Sequence, residues 1–221
     1  MKQSRFANRR GILFAADLPN ESQLYRLLEE VGTFVDALTL GNSLLYEYGA
    51  RLIEKLKRDF PHPIIADLKL TDVSHISTRV VTLFRDCGTD AIIVAGVCGE
   101  DVLADAVVAA GTSCEIWAFT EFTNDSGLID VALADQTVSV ALRSGVLGLQ
   151  VPGTRPYRIE DVRSEVGEGV TIVACGIGAQ GGRFGSAIAA GATLEIVGRA
   201  IYAARFPAEA AKEAYLATRC A

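Results

Sequence analysis

The chain has 221 residues, half of them hydrophobic, and a formal net charge of -6. That suits one domain, residues 1–221, with a full core. The acidic balance, without basic-aromatic interleaving, argues against a nucleic-acid partner, and no stretch approaches the ~20 apolar residues of a membrane span. Met1 to Arg10 carries four Lys or Arg residues, but no apolar run of signal-peptide length follows, so a cytoplasmic protein is expected. The five cysteines are odd in number and none forms a CxxC pair, which points to free thiols in a reducing compartment. His62 and His75 are the only histidines, so no Cys/His cluster has metal-ligand spacing. Magnesium held by carboxylates stays open.

Apolar runs of strand length recur at Gly11–Ala16, Val35–Leu40, Ile64–Leu68, Ala91–Ala95, Glu115–Phe119, Gly145–Val151, Val170–Ala174 and Leu194–Val197. Segments with helical spacing lie between and after them: Glu21–Val31, Leu44–Asp59, Val73–Asp86, Asp101–Ala110, Leu128–Ser144, Ile159–Val166, Phe184–Ala190 and Pro207–Thr218. Near-continuous hydrophobic strands alternating with helices imply a parallel sheet covered on its faces. Eight such units in 221 residues predict an α/β fold, a (β/α)8 TIM barrel in a single domain. A doubly wound open sheet is the alternative.

A barrel builds its site at the C-terminal ends of its strands. Asp17, Thr39, Asp67 with Lys69, Thr120 to Thr123, Arg155, Gly176 to Gly182 and Gly198-Arg199 stand at those ends. The stretch from Ile64 to Asp72 begins apolar and ends in three charges. Asp67 and Lys69 are two apart and share a strand face. Burying charge is costly unless it is paired, so the pair is either a structural ion pair or a catalytic lysine held by carboxylates.

After the seventh run, Cys175-Gly-Ile-Gly-Ala-Gln-Gly-Gly182 offers backbone N–H groups to an anion. Arg199 follows the eighth run and supplies a guanidinium suited to two-pronged phosphate binding. Gln180 has the reach to bond phosphate and another part of a ligand. Thr154-Arg155-Pro156 places a second cation nearby, or an ordinary turn with a surface salt bridge.

These motifs carry a resemblance along essentially the whole chain. Asp67-Leu-Lys69-Leu-Thr-Asp72, Gly176-Ile-Gly-Ala-Gln180-Gly-Gly182, Thr154-Arg155-Pro156 and Gly198-Arg199-Ala-Ile-Tyr202 resemble the orotidine 5'-monophosphate decarboxylase family in its short, archaeal-type form. The first motif is shared with sugar-phosphate decarboxylases and hexulose-phosphate synthase of the wider suprafamily. The resemblance implies conversion of orotidine 5'-monophosphate to uridine 5'-monophosphate in pyrimidine biosynthesis, without metal or cofactor. It implies Asp67 against the leaving carboxylate, Lys69 protonating C6, and Asp72 completing the partner's site across a homodimer. It further implies Asp17 on a ribose hydroxyl and Thr123 on the pyrimidine. Gln180, Gly181, Gly182, Gly198 and Arg199 would hold the phosphate, with Arg155 flanking it.

Three positions depart from the family pattern. Thr39 stands where the family places a lysine beside the ribose, so the usual Lys-Asp-Lys-Asp chain lacks one cation and a carboxylate pKa should rise there. Asp72-Val-Ser-His75-Ile76 replaces the usual run ending in Thr, and His75 reads as a helix-start or surface residue or as a new acid/base or phosphate contact. Val94-Ala95-Gly96 occupies a strand end where relatives often carry a histidine. Two further readings therefore stand beside the decarboxylase. One is an enzyme for another phosphorylated substrate, a keto-sugar phosphate or a modified nucleotide. The other is a non-catalytic nucleotide-binding paralogue.

Overall fold

The computed structural model describes residues 3–221. Met1 and Lys2 of the expected 1–221 domain, and of the basic Met1 to Arg10 stretch, lie outside the described residues. Eight parallel strands close into one barrel in sequence order. They are β1 (Gly11–Ala15), β2 (Ala37–Gly41), β3 (Ile64–Leu70), β4 (Ala91–Ala95), β5 (Glu115–Phe119), β6 (Gly148–Pro152), β7 (Thr171–Ile177) and β8 (Leu194–Val197). The helices are α1 (Glu21–Val31), α2 (Asn42–Tyr48), α3 (Arg51–Asp59), α4 (Ser74–Asp86), α5 (Glu100–Ala110), α6 (Val131–Arg143), α7 (Pro156–Val166), α8 (Ser186–Ala189), α9 (Arg199–Tyr202) and α10 (Pro207–Arg219). The closed barrel bears out the TIM-barrel expectation and excludes the open sheet. No helix of the described residues is long and apolar enough to cross a membrane.

The apolar pattern explains the layers. Strand residues facing outward, such as Ile12, Phe14, Leu38 and Leu40, join the helix faces in the larger core cluster. Residues facing inward, among them Leu13, Ile65, Ile93, Trp117 and Val173, fill the barrel axis. Trp117 fits because Gly148, its register partner on β6, has no side chain; a Cβ there would collide with the indole ring. The N-terminal end of the barrel is closed by the segment before β1. Phe6 meets Trp117 edge-on with ring centroids 5.1 Å apart. Buried Glu115 accepts from Ser4 Oγ at 2.8 Å, Arg5 N–H at 2.7 Å and Trp117 Nε1 at 2.9 Å.

Several boundaries differ from the sequence reading, each for a local reason. The expected helix Leu44–Asp59 divides into α2 and α3 at Gly49, whose φ of 68° breaks the helix. Helix α9, after β8, is a single turn and too short to show a helical period. Helix α8 is shorter than the expected Phe184–Ala190, because Gly185 at φ 80° delays its start. Elsewhere the caps set the start: Asn20 Oδ1 accepts Gln23 N–H at 3.0 Å and Asp130 Oδ1 accepts Leu133 N–H at 2.9 Å. Pro156 opens α7 and Pro207 opens α10.

Candidate active site

β3 runs two residues past its expected end, to Leu70, and the extension is irregular. Its register against β4 shifts between Ala66 and Leu70. Lys69 has φ 42° and is the single non-glycine residue at positive φ among those described. Such a conformation costs about 1–2 kcal/mol for an L residue. It is held by Thr71 Oγ1, which donates to the Lys69 carbonyl at 2.8 Å, and by the ion pair that it enables. Lys69 Nζ lies 2.8 Å from both Asp67 Oδ1 and Oδ2. The ammonium also stands 5.6 Å from the Phe119 ring centroid, within cation–π range. Asp67 is mostly buried and Lys69 about one-third exposed, at the wall of an open cavity.

That cavity, about 280 Å³, sits at the C-terminal end of the barrel. Asp17, Asp67, Lys69, Thr123, Gln180, Gly198 and Arg199 all line it, and because β1 pairs with β8, Asp17 just after β1 neighbours the Gly198-Arg199 segment. Asp17 is reached by solvent through the cavity mouth. The surrounding walls push its carboxyl above the ordinary carboxylate value, Asp67 adds to the rise, and Lys69 and the Gly41 backbone oppose it. Gly41 leaves room for Asp17, since a Cβ at that position would strike Oδ1. On the cavity wall, Gly176 takes φ 85° and forms a junction. A Cβ there would stand 3.0 Å from Gln180 Oε1, from Thr123 Cγ2 and from Thr154 Cγ2.

The loop after β7 is a closed turn. Gly178 N–H donates to Gly182 O at 2.7 Å, Gly181 N–H to Gly178 O at 2.9 Å, and Gly182 N–H to Gly176 O at 3.1 Å. Ala179 and Gln180 form its exposed tip and line the cavity. The start of α8 does not face the cavity as a free anion site. The Glu195 carboxylate of β8 takes the N–H groups of Gly185 and Ala187 at 2.9 Å each. The helix start left beside the cavity is that of α9, at Gly198-Arg199.

Five of the expected site residues lie outside the cavity lining. Thr39 is buried on β2, and its Oγ1 has no hydrogen-bond partner among the described residues. Gly181 and Gly182 commit their N–H groups to the turn. Arg155 Nη1 pairs with buried Glu121 at 3.2 Å and Nη2 donates to the Phe122 carbonyl, so the cation is tied to the loop after β5. Arg158 grips the same Glu121 at 3.1 Å and continues to Asp135 at 2.7 Å. Asp72 is exposed and bonds its neighbour Val73 N–H at 2.8 Å. It lines a neighbouring cavity of about 590 Å³, which also reaches Lys69, together with Leu45, Tyr46, Leu68 and Leu83. His75 is an exposed residue in the first turn of α4 and lines neither cavity.

The sequence reading gives no role to Gln150, Phe119, Phe122 or Tyr202, all of which line the site, although Phe122 falls within Thr120 to Thr123 and Tyr202 closes the motif that begins at Gly198. Gln150 is the informative one. It lies on β6 opposite Phe119 in register, and its Nε2 donates to Asp67 Oδ2 at 3.0 Å. Its signal in sequence is a lone amide next to the end of the predicted apolar run Gly145–Val151.

Residues 11–214 match the family model described as Orotidine 5'-phosphate decarboxylase / HUMPS family. The chain is similar to the orotidine 5'-phosphate decarboxylase of Methanosarcina barkeri, with 34% identity over 204 residues that cover 91% of each chain. Among solved structures it resembles the orotidine 5'-phosphate decarboxylase of Pyrococcus horikoshii OT3, with 34% identity, a TM-score of 0.84, and coverage of 94% of this chain and 99% of that one. It also resembles the Methanocaldococcus jannaschii orotidine 5'-monophosphate decarboxylase complexed with inhibitor BMP, at 25% identity and a TM-score of 0.88, covering 96% and 99% of the two chains.

Proposed function

The chain belongs to the orotidine 5'-phosphate decarboxylase / HUMPS family, and from that premise we propose that it decarboxylates orotidine 5'-monophosphate to uridine 5'-monophosphate in pyrimidine biosynthesis, a cytoplasmic route. The observation that carries this reading is the pairing of Lys69 Nζ with both Asp67 oxygens at 2.8 Å, in a cavity that Gln180 and Arg199 also line. A charge cluster and a phosphate-type site lining one cavity suit a substrate that carries both a reacting carboxylate and a phosphate.

The residues then divide the work. Arg199, the amides at the α9 start and Gln180 hold the phosphate. Asp17 accepts a ribose hydroxyl and Thr123 contacts the pyrimidine. Asp67 sits beside the substrate carboxylate. The C6–carboxylate bond breaks and its electron pair remains on C6 as carbon dioxide leaves. Lys69 Nζ stabilises that carbanion and donates a proton to C6, and the neutral amine regains a proton from water. Phosphate binding far from C6 lowers the barrier only through contacts that tighten in the transition state. Arg155, held by Glu121, positions the loops that flank the phosphate instead of meeting it directly.

The same reading makes the molecule a homodimer in which Asp72 serves the partner's site. Its support is local. Asp72 is exposed, lies outside its own cavity lining, and borders an apolar surface with Tyr46 81% exposed, Val73 57% exposed and Leu83 56% exposed. A second copy of this chain would cover that surface.

The direct test is the ultraviolet absorbance of orotidine 5'-monophosphate mixed with the purified protein, with and without EDTA. Loss of the orotate chromophore, unaffected by EDTA and accompanied by uridine 5'-monophosphate, is the expected result. An unchanged spectrum alongside measurable binding of uridine 5'-monophosphate would replace the decarboxylase with a nucleotide-binding paralogue. A substrate modified on its base is the second reading, and Gln150 is the observation that favours it.

A further inference from the structure

Gln150 is 1% exposed, lines the cavity, and has one amide atom engaged and one free. Nε2 donates to Asp67 Oδ2 at 3.0 Å, while Oε1 is buried without a hydrogen-bond partner among the described residues. The orientation follows from chemistry. A carboxylate only accepts, so turning the amide over would set Oε1 against Oδ2, two acceptors at hydrogen-bond distance. Asp67 therefore fixes which end of the amide is engaged and which is left without a partner. A buried acceptor without a donor costs about 1–3 kcal/mol, and this one stands beside the group proposed to face the reacting carbon.

We infer that Gln150 is a positioning and specificity-determining residue: its Nε2 holds Asp67 in place, and its Oε1 selects a hydrogen-bond donor on the edge of the base that carries the reacting carbon. The inference rests on the nucleotide reading of the site. It assigns Asp67 a neutral second donor from β6, where the family resemblance leads one to expect a second cation from β2 and Thr39 supplies none. It also distinguishes substrates. An unsubstituted base offers Oε1 only carbon-bound hydrogen, whereas a base bearing a hydroxyl or amino group next to the reacting carbon completes the pair. An unsubstituted base, that of orotidine 5'-monophosphate included, binds without this bond, and a base that completes it gains affinity over one that does not.

Binding is the readout, so turnover is not needed. At pH 7 the wild-type protein is titrated with uridine, 5-hydroxyuridine and 5-methyluridine 5'-monophosphates. Hydroxyl and methyl are close in size and only the hydroxyl donates. The wild type is expected to favour the hydroxyl over the methyl nucleotide by at least about tenfold, and Gln150→Leu to bring that ratio close to one. Gln150→Glu tests the positioning role. Its affinity for uridine 5'-monophosphate relative to wild type should rise as pH falls, because the substituted carboxyl donates to Asp67 only when protonated. A wild type with no preference for the hydroxyl, or a preference that survives in Gln150→Leu, overturns the selection. A Gln150→Glu ratio that stays flat with pH overturns the positioning. If wild type bound none of the three nucleotides, the nucleotide reading itself would fall, and the inference with it.

Discussion

Glu195 on β8 accepts the N–H of Ala187 at 2.9 Å, and the same carboxylate takes Gly185 at 2.9 Å and Ile188 at 3.4 Å. A fully buried acid thus ties the segment that follows Gln180 to the strand that leads into Arg199. Glu195→Ala leaves three buried donors without their partner. It should lower stability by about 2–4 kcal/mol and weaken binding of inorganic phosphate and of uridine 5'-monophosphate together. Denaturant melts and titration calorimetry check both effects. Glu195→Gln, which keeps an acceptor, should fall between.

Asp17 gives a pH dependence. Its carboxyl is raised chiefly by the surrounding protein and then by Asp67, with Lys69 opposing. If the ribose hydroxyl donates to the ionised form, nucleotide affinity declines as pH falls through a value above the ordinary 3.8. Asp17→Asn should bind weakly with that dependence removed. Stability moves the other way. A carboxyl raised in the folded state binds its proton more readily there than in the unfolded chain, so the ligand-free protein gains stability as pH drops through that window. The thermal midpoint of ligand-free Asp17→Asn at neutral pH should accordingly match or exceed that of wild type.

The cross-dimer role of Asp72 is tested by mixing. Lys69→Ala and Asp72→Asn should each be inactive alone. Refolded together in equal amounts, half the dimers pair one of each, and one site in each such dimer regains both groups. Activity should return to about a quarter of wild type by this symmetry argument. A mixture that stays inactive would mean that Asp72 serves its own chain.

Inside the barrel, Gly148 and Trp117 form a matched pair. Gly148→Ala forces the indole to move and should cost about 1–3 kcal/mol. Thermal melts should show this loss, and nucleotide affinity should change little because Trp117 lies below the cavity lining.

Much of this architecture is legible in the sequence. The runs Ala91–Ala95, Glu115–Phe119 and Leu194–Val197 coincide with β4, β5 and β8, because a glycine or a polar residue follows each apolar run. The loops are harder to read for physical reasons. The helical spacing of Leu44–Asp59 continues through Gly49, and only the backbone angle there reveals the break. The β3 extension depends on a left-handed Lys69, a conformation that residue type does not favour. In the site, Asp17, Asp67, Lys69, Thr123, Gln180, Gly198 and Arg199 line one cavity. Residue type and family resemblance place Gly181, Gly182 and Arg155 beside the phosphate. Their donors are instead engaged within the loops or with Glu121, which spacing cannot disclose. Gln150 is hidden because one amide in an apolar run looks like a tolerated polar residue until Asp67 is seen across the barrel, 83 residues away in sequence.

In the proposed reaction Lys69 delivers the proton while other residues bind the nucleotide. The measurement that tests it most directly pairs turnover of orotidine 5'-monophosphate with affinity for uridine 5'-monophosphate in wild type and Lys69→Ala. Turnover should fall by about 10³-fold or more, since both proton delivery and charge stabilisation are lost, with affinity for the product within about tenfold of wild type. Turnover that survives the substitution would contradict it.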